Sequence, residues 1–392
     1  MSQTIDRRME FVVKVSKFCN LRCRYCYEYE SLGNREAMSR EQLRQLYRHI
    51  EAWRARVDAR DGKRTEIGFI WHGGEPLLLE PGFYWDTFAD QREIFGEQVA
   101  RKNTLQTNLT VLDEERLALL RDGFDVVGVS VDVFGGLRVN VGGRDQQPLT
   151  MKNMELLREQ GIPFSTITVL TRANLGRMRH IYELFSRARI PFRLLPLFDG
   201  AFDGQHRGFE ISTQDILKAF QDLVDLWMEK DGFLEVYPTL EQIQVVLRSM
   251  QAGAAPVYYN KREWLPVLLV NTNGDCFTYG DPYEEPEWCV GNLFTTSLDD
   301  ILAGERFARS ALAAERRMAA NCLTCPYFGH CSGYPIAEEH YNCGQKTGEA
   351  ERTCVVERNL FAYIEQRIRR EGGVPEAWRA RAQEGHEERR IA

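Results

Sequence analysis

Residues 11–26 read FVVKVSKFCNLRCRYC, in which an apolar run is followed closely by three cysteines. Residues 11–15 are predicted to form a strand, because apolar and β-branched residues dominate the run. Cys19, Cys23 and Cys26 have the spacing C-x3-C-x2-C. Three thiolates on one tight loop can hold three irons of a [4Fe–4S] cube and leave the fourth iron open. A zinc knuckle or a group of free thiols is the alternative, although a closed zinc site needs a fourth ligand and none lies nearby.

The first half of the chain alternates predicted strands with predicted helices. The strands are residues 11–15, 67–71, 104–107, 126–131, 164–170 and 192–197, and the helices are residues 41–56, 83–100, 112–122, 150–160 and 175–189. This alternation indicates an α/β fold with parallel strands. Six units are too few for a closed eight-stranded barrel, so a partial barrel or an open doubly wound sheet is expected. Functional residues are expected at the carboxyl ends of the strands.

The second half has a different pattern. Residues 212–248 have helical periodicity, and residues 253–256 break it. Residues 257–355 have many turn residues, seven cysteines and little periodicity, which is typical of a segment that needs metal in order to fold. A last helix is predicted at residues 355–370, and a charged tail follows it.

Composition excludes several classes of protein. Hydrophobic residues make up 43% of the 392 residues and the net charge is −7, as in a globular protein without the basic surface of a nucleic-acid binder. No stretch is long and apolar enough for a membrane span, and the N-terminus lacks the apolar region of a signal peptide. A cytoplasmic location is therefore expected. Ten cysteines in a reducing compartment indicate metal binding rather than disulfides.

The cysteine triad, with an aromatic residue before its third cysteine, resembles the signature of radical S-adenosylmethionine (SAM) enzymes. The resemblance implies a partial (β/α)6 TIM-like barrel. It also implies a [4Fe–4S] cluster on Cys19, Cys23 and Cys26, whose open iron chelates SAM. In that family, reductive cleavage of SAM produces a 5′-deoxyadenosyl radical that abstracts hydrogen from an unactivated carbon. The cofactor carries this chemistry and the protein orients it.

Further motifs follow the second, third and fourth predicted strands. The run Gly73-Gly74-Glu75-Pro76 resembles the family's GGEP motif, which receives the amino group of SAM, although a simple turn is the alternative for two glycines. The predicted cofactor-binding residues are Tyr25, Gly73, Gly74, Glu75, Thr107, Asn108, Ser130, Asp132, Arg138 and Arg144. Arg138 and Arg144 are both retained, because the loop after Asp132 departs from the usual S-x-D-G-P and either arginine could pair with the SAM carboxylate. No catalytic residue is predicted.

The C-terminal cysteines resemble the SPASM extension, which normally binds two auxiliary [4Fe–4S] clusters. The sequence departs from that pattern twice, with Glu284 in place of a glycine and Pro335 in place of a cysteine. The resemblance assigns the outer cluster to Cys322, Cys325, Cys331 and Cys354, and the inner cluster to Cys276, Cys289 and Cys343. Seven thiolates cannot fully ligate two cubes, so one or two auxiliary clusters are expected. Zinc sites are the alternative, and His330 and His340 are interpreted as surface residues.

The resemblance implies three domains: a radical SAM barrel (1–210), a helical bridge (211–256) and a SPASM domain with a C-terminal helix (257–392). It also implies a radical SAM oxidoreductase. The expected substrate is a ribosomally made precursor peptide of a natural product, in which a C–C or thioether crosslink forms. A flavodoxin- or ferredoxin-type electron donor is expected, with no nucleic-acid or membrane partner.

Two alternatives to crosslinking remain. An anaerobic sulfatase-maturating enzyme would convert Ser or Cys to formylglycine, and there an Asp directly after the first extension cysteine is the usual base. Phe277 holds that position here and Asp281 comes later, which counts against this alternative. The other alternative is a zinc-stabilised binding module on an α/β scaffold.

Overall fold

A computed structural model describes residues 5–197, 208–230, 234–281, 285–338, 344–346, 352–373 and 378 of the protein. These residues divide into two compact units. The first unit comprises the described residues within 1–165 and 265–311, and the second comprises those within 166–199, 207–264 and 312–392. The boundaries of the three predicted domains stay a prediction.

The strands of the described residues are β1 (Arg7–Ser16), β2 (Thr65–Gly73), β3 (Arg101–Thr107), β4 (Val126–Ser130), β5 (Ser165–Leu170), β6 (Phe192–Pro196), β7 (Val236–Tyr237), β8 (Val267–Val270), β9 (Asp275–Thr278), β10 (Gly291–Asn292), β11 (Gly344–Lys346) and β12 (Arg352–Cys354). The α-helices are α1 (Arg40–Asp61), α2 (Pro81–Phe95), α3 (Glu114–Asp122), α4 (Gln147–Glu159), α5 (Met178–Ala188), α6 (Thr213–Glu229), α7 (Thr239–Ser249), α8 (Leu298–Ala303), α9 (Glu305–Asn321), α10 (Tyr334–Ala337) and α11 (Val356–Arg370). The six predicted strands and the five predicted helices of the first half are confirmed within a few residues at their ends.

The first unit is built on a sheet with the strand order β10-β9-β8-β1-β2-β3-β4. Strands β1 to β4 are parallel to their neighbours. Alternate side chains of β1 and β2 face helices α1 and α2: Phe69 lies 5.2 Å from Tyr47 of α1, and Trp71 lies 5.7 Å from Tyr84 of α2, between ring centroids. Since side chains alternate along a strand, Ile70 and His72, the neighbours of Trp71, face away from the helices.

Helix α1 begins at a capping box. The Ser39 hydroxyl accepts a hydrogen bond from the Gln42 backbone N–H, and the Gln42 side chain accepts one from the Ser39 N–H. Such a reciprocal cap satisfies two backbone donors that the first helical turn leaves free. Gly62 ends the helix at a φ of 64°, a conformation that glycine adopts at little cost.

The second unit contains the parallel strands β5, β6 and β7, helices α5, α6, α7 and α11, the last ten residues of α9, and the antiparallel pair β11–β12. Helix α6 begins at a Ser212–Asp215 capping box and buries one face, as its periodicity predicts. The predicted last helix is confirmed as α11. No helix of the described residues is long and apolar enough to span a membrane.

The cysteine-rich segment has more regular structure than its weak periodicity indicates. Strand β8 pairs in parallel with β1, β9 pairs antiparallel with β8, and α9 is a helix of 17 residues. Strands β8 and β9 have four residues each, too few to establish an alternating pattern.

Candidate active site

The three N-terminal cysteines lie on the loop directly after β1. Cys19 is buried with Leu21 and Leu32, and Cys23 and Cys26 pack against the same cluster. The Cys26 N–H donates to the Cys23 carbonyl over 3.1 Å, which tightens the loop. Burial raises the pKa of Cys19 and of Cys26 to about 12. Metal binding at this loop therefore has to displace protons from the thiols.

Two glycines let the turn after β2 lie against the cysteine loop. The Gly74 N–H donates to the Ser16 carbonyl over 2.9 Å, and a Cβ on Gly74 would lie 2.3 Å from the Phe18 carbonyl oxygen. Gly73 has a φ of 125°, and a Cβ there would lie 2.1 Å from the Ser16 carbonyl oxygen. Backbone atoms cannot yield to such contacts, so only glycine fits at either position.

Glu75 is buried at the centre of this arrangement. Its carboxylate accepts hydrogen bonds from the Leu77 N–H (2.9 Å), the Thr107 hydroxyl (2.7 Å) and the Asn108 N–H (2.6 Å). Burial raises the pKa of Glu75, and these hydrogen bonds oppose the rise. A carboxylate has about four acceptor positions, so one remains for a further donor. The Asn108 amide nitrogen also lies 3.8 Å from the Cys19 sulfur.

Asp132 and Arg138 extend the site from the end of β4. Arg138 Nε donates to Asp132 Oδ2 over 3.0 Å, and the Tyr25 hydroxyl donates to the same oxygen. Arg138 Nη1 lies 4.0 Å from the Cys23 sulfur. Burial raises the pKa of Cys23, and the positive charge of Arg138 opposes the rise. Ser130, also a predicted cofactor residue, accepts a hydrogen bond of 2.7 Å from the Gln106 amide.

The structure separates the two candidate arginines. Arg138 is buried beside Asp132 and Cys23, whereas Arg144 is exposed on the turn that leads to α4. The backbone of Arg144 closes this turn, because its N–H donates to Asn140 Oδ1 and its carbonyl accepts from the Asn140 N–H. Only Arg138 lies with the other predicted site residues.

These residues fit a [4Fe–4S] cluster with SAM bound to it. Three soft thiol donors on one loop are the ligands that such a cluster takes. Arg138 provides a guanidinium of the kind that pairs with carboxylates, and Glu75 retains an acceptor position for an ammonium group. The glycine turn allows backbone to approach a ligand closely.

Two of the three predicted inner-cluster cysteines are described. Cys276 is fully buried on β9, and Cys289 is half-buried three residues before Asn292, which pairs with β9. Cys289 lines a cavity of about 450 Å³, together with Lys17, Phe277 and Arg306. Cys343 lies outside the described residues, as does His340, so their predicted roles stay predictions.

The four predicted outer-cluster cysteines line one pocket in the second unit: Cys322, Cys325, Cys331 and Cys354. Phe328 and Phe361 form part of its wall, and Pro335, which replaces the expected cysteine, lines it too. Burial raises the pKa of Cys322 to about 11 and that of Cys331 to about 12. An apolar pocket with four thiols fits one cubic cluster, which needs four thiolates.

The sequence analysis missed a buried charged group beside the site. Lys14 of β1 and Glu28, which follows Cys26 by two residues, form an ion pair with side chains 1% and 5% exposed. His72 of β2 is the register partner of Lys14. The lysine inside the apolar run at residues 11–15 was the available signal, because lysine is almost never fully buried unless it is paired.

Comparisons with known proteins agree with this geometry. Residues 13–185 match the model of the radical SAM superfamily. The chain carries a radical SAM domain. Its expected cofactor class, SAM with a [4Fe–4S] cluster, is thereby confirmed, while the number of auxiliary clusters stays a prediction.

Relatives of this chain match it over both of its halves. A serine-type anaerobic sulfatase-maturating enzyme of Bacteroides thetaiotaomicron is 23% identical over 358 residues, which cover 82% of this chain and 81% of the enzyme. A cysteine-type anaerobic sulfatase-maturating enzyme of Clostridium perfringens (strain 13) is 23% identical over 328 residues, which cover 81% of this chain and 86% of the enzyme.

Solved structures show the same fold. Native anSMEcpe with bound AdoMet and Cp18Cys peptide matches with a TM-score of 0.73 and 17% identity, over 96% of this chain and 99% of that one. Streptococcus suis SuiB bound to S-adenosylmethionine matches with a TM-score of 0.54 and 16% identity, over 83% of this chain and 72% of that one. The predicted partial TIM-like barrel with a cysteine-rich extension is confirmed.

Proposed function

We propose that this radical SAM protein oxidises a side chain of a peptide or protein substrate, and that the reaction is of the sulfatase-maturating type. In that reaction a Ser or Cys residue becomes formylglycine. The observation that carries the proposal is the extent of similarity to sulfatase-maturating enzymes, which covers more than four fifths of this chain and of each relative. The order of preference among the predicted reactions is thus reversed, and crosslinking becomes the second candidate.

The residues of the site have separate roles in this proposal. Cys19, Cys23 and Cys26 hold the cluster, and Arg138 and Glu75 bind the carboxylate and the ammonium of SAM. When bound, the cluster and SAM together supply a radical that abstracts a hydrogen atom from the substrate. Leu21 and Leu32, which pack with Cys19, shield that part of the loop from water.

The oxidation of serine to formylglycine removes two hydrogens: one leaves as a hydrogen atom to the 5′-deoxyadenosyl radical, and the other leaves as a proton to solvent and an electron, which needs an acceptor. With cysteine the same oxidation gives a thioaldehyde, which water hydrolyses to the aldehyde with release of H2S. We assign this role to the auxiliary clusters. Cys322, Cys325, Cys331 and Cys354 would hold the outer cluster and Cys276, Cys289 and Cys343 the inner one, and a cluster held there would accept one electron. A flavodoxin- or ferredoxin-type donor supplies the electron that starts the reaction.

The test uses protein reconstituted anaerobically with iron and sulfide, SAM, a reductant and the Cp18Cys peptide. We expect 5′-deoxyadenosine together with an aldehyde on the peptide, which a hydrazine reagent traps for mass spectrometry. The Cys26→Ala variant is the matched control and is expected to form neither product. Formation of 5′-deoxyadenosine without any aldehyde would contradict the sulfatase-maturating reaction.

One observation favours the second candidate, crosslink formation in a precursor peptide. Phe277 occupies the position directly after Cys276, where sulfatase-maturating enzymes usually have an aspartate base. Asp281 is buried and accepts hydrogen bonds from the Thr278 and Ser310 hydroxyls, so it is engaged within the fold. A peptide product that lacks two hydrogens, does not react with hydrazine and shows linked fragments would establish this reaction instead.

A further inference from the structure

The buried Lys14–Glu28 pair is outside the roles assigned above. We propose that Glu28, held in place by Lys14, is a substrate-positioning residue of the radical site. Its second carboxylate oxygen accepts a hydrogen bond from an uncharged O–H, S–H or N–H group of the peptide. This inference rests on the proposed function, because it requires a peptide in the site.

The position of Lys14 places the pair on the functional face of the sheet. Phe11 stacks on Phe69 at 6.1 Å, and Phe69 contacts α1, so the odd-numbered side chains of β1 face the helices. Lys14 has the opposite orientation, because side chains alternate along a strand. His72 is its register partner on β2 and shares this face. In barrels built from parallel strands, the face away from the helices is the interior, and ligands bind at the carboxyl ends of its strands.

Glu28 lies close to the predicted cluster. It follows Cys26 by two residues, and its carboxylate is one of the charges that act on the Cys26 thiol. The Lys14 ammonium also lies 4.9 Å from the centre of the ring of Tyr27, the residue between Cys26 and Glu28. A group bound to Glu28 would therefore lie beside the cysteine loop, next to Cys26.

The two oxygens of Glu28 have different surroundings. Oε1 accepts a hydrogen bond from Lys14 Nζ. Oε2 is buried and has no hydrogen-bond partner among the residues that the structure describes. Glu28 as a whole is only 4% exposed. A buried acceptor without a partner is costly, and each such atom in a native protein calls for an explanation. A donor on a bound substrate provides one.

The charge of the pair selects the kind of donor. Lys14 already balances the negative charge of Glu28, so the pair is close to neutral overall. A cationic side chain brought to Oε2 would add an uncompensated charge to a buried site, which is unfavourable. A hydroxyl, thiol or amide N–H adds no charge. Serine and cysteine, the residues that the proposed reaction oxidises, carry such donors.

A comparison with Lys261–Glu338 in the second unit shows what a purely structural pair looks like. That pair is equally buried, with side chains 1% and 0% exposed. There both carboxylate oxygens have partners, since Tyr259 donates to Oε1 over 2.7 Å and Lys261 donates to Oε2 over 2.9 Å. Glu338→Gln is therefore a matched control for the loss of a buried carboxylate.

The experiment measures the Kd of fluorescently labelled Cp18Cys peptide, the Kd of SAM and the ratio of 5′-deoxyadenosine to oxidised peptide. We compare reconstituted wild type, Glu28→Gln and Glu338→Gln at equal iron content. Glu28→Gln keeps an oxygen for Lys14 but presents an N–H where the acceptor stood. For Glu28→Gln we expect the peptide Kd to rise roughly tenfold to hundredfold, while the Kd of SAM stays unchanged. We also expect more 5′-deoxyadenosine for each oxidised peptide.

A double variant separates substrate contact from stability. The double variant Lys14→Met with Glu28→Gln removes both charges. If the ion pair only stabilised the fold, this variant would bind the peptide like wild type. We instead expect its peptide Kd to stay high. The inference would be overturned if Glu28→Gln or the double variant bound the peptide with wild-type affinity, or if Glu338→Gln lost as much affinity as Glu28→Gln. These outcomes would leave the proposed function standing. If wild type neither binds nor oxidises the peptide, the proposed function fails and the inference fails with it.

Discussion

The hydroxyl of Tyr25 donates a hydrogen bond to Oδ2 of Asp132, across 107 residues of sequence. Tyr25 belongs to the cysteine loop, and Asp132 follows β4. The same oxygen accepts from Arg138, so one carboxylate connects the predicted cluster ligands to the predicted SAM carboxylate partner. Burial of the three side chains makes this connection resistant to competition from water.

This connection predicts different effects for the two candidate arginines. Arg138→Lys replaces a planar fork, which suits a carboxylate, with a single ammonium. We expect the Kd of SAM to rise roughly tenfold or more, measured by equilibrium binding to reconstituted protein. The exposed Arg144→Lys is the matched control and is expected to bind SAM like wild type. Equal affinities in the two variants would remove Arg138 from the SAM site.

The glycine turn after β2 predicts a steric effect. Gly74→Ala places a Cβ against the Phe18 and Lys17 carbonyl oxygens, at 2.3 and 2.4 Å, so the cysteine loop has to move. We expect unfolding by urea to show a loss of about 2 kcal/mol or more, and the N-terminal cluster to incorporate less iron. Gly82→Ala in α2 has no atom within 4 Å of its new Cβ, and it should leave both quantities near wild type.

His72 predicts a dependence of stability on pH. Burial lowers the pKa of His72 to about 4, and Lys14 adds to the effect. Between pH 4 and 6.5 the unfolded chain binds a proton that the folded protein excludes, so the free energy of unfolding decreases as pH falls through this range. We expect His72→Gln to reduce that loss, by on the order of 2 kcal/mol, in urea titrations at pH 7 and 4.5.

The matched control for this pH dependence is His180→Gln, because His180 is exposed on α5. We expect this variant to lose stability between pH 7 and 4.5 as wild type does. If His72→Gln loses as much stability as wild type and His180→Gln do, the pH dependence is caused by other groups.

The outer cysteine pocket predicts a change in metal content. Cys322→Ser removes one of the four thiols that line the pocket, and we expect the protein to lose about four irons with the corresponding acid-labile sulfide. Leu323→Ser changes the neighbouring side chain, which is 73% exposed, and should retain the wild-type content. Zinc without acid-labile sulfide in wild type would instead support the zinc-stabilised alternative.

Much of the fold was predictable because it depends on local patterns. Apolar runs predicted β1 to β6, and the helix predicted at residues 41–56 corresponds to α1. The parallel addition of β8 beside β1 was not predictable, since four apolar residues fit many kinds of structure. Its position depends on hydrogen bonds to a strand more than 250 residues earlier in the chain.

The sequence by itself determined the cofactor class of this protein, because three thiols at fixed spacing and a glycine turn restrict what a loop can bind. Only the tertiary structure chose Arg138 over Arg144 as the neighbour of the cysteines, and only it joined Lys14 to Glu28. Both results depend on how the chain folds back on itself. The spacing of residues specifies which ligands a loop can offer, whereas the path of the backbone decides which distant charges meet there.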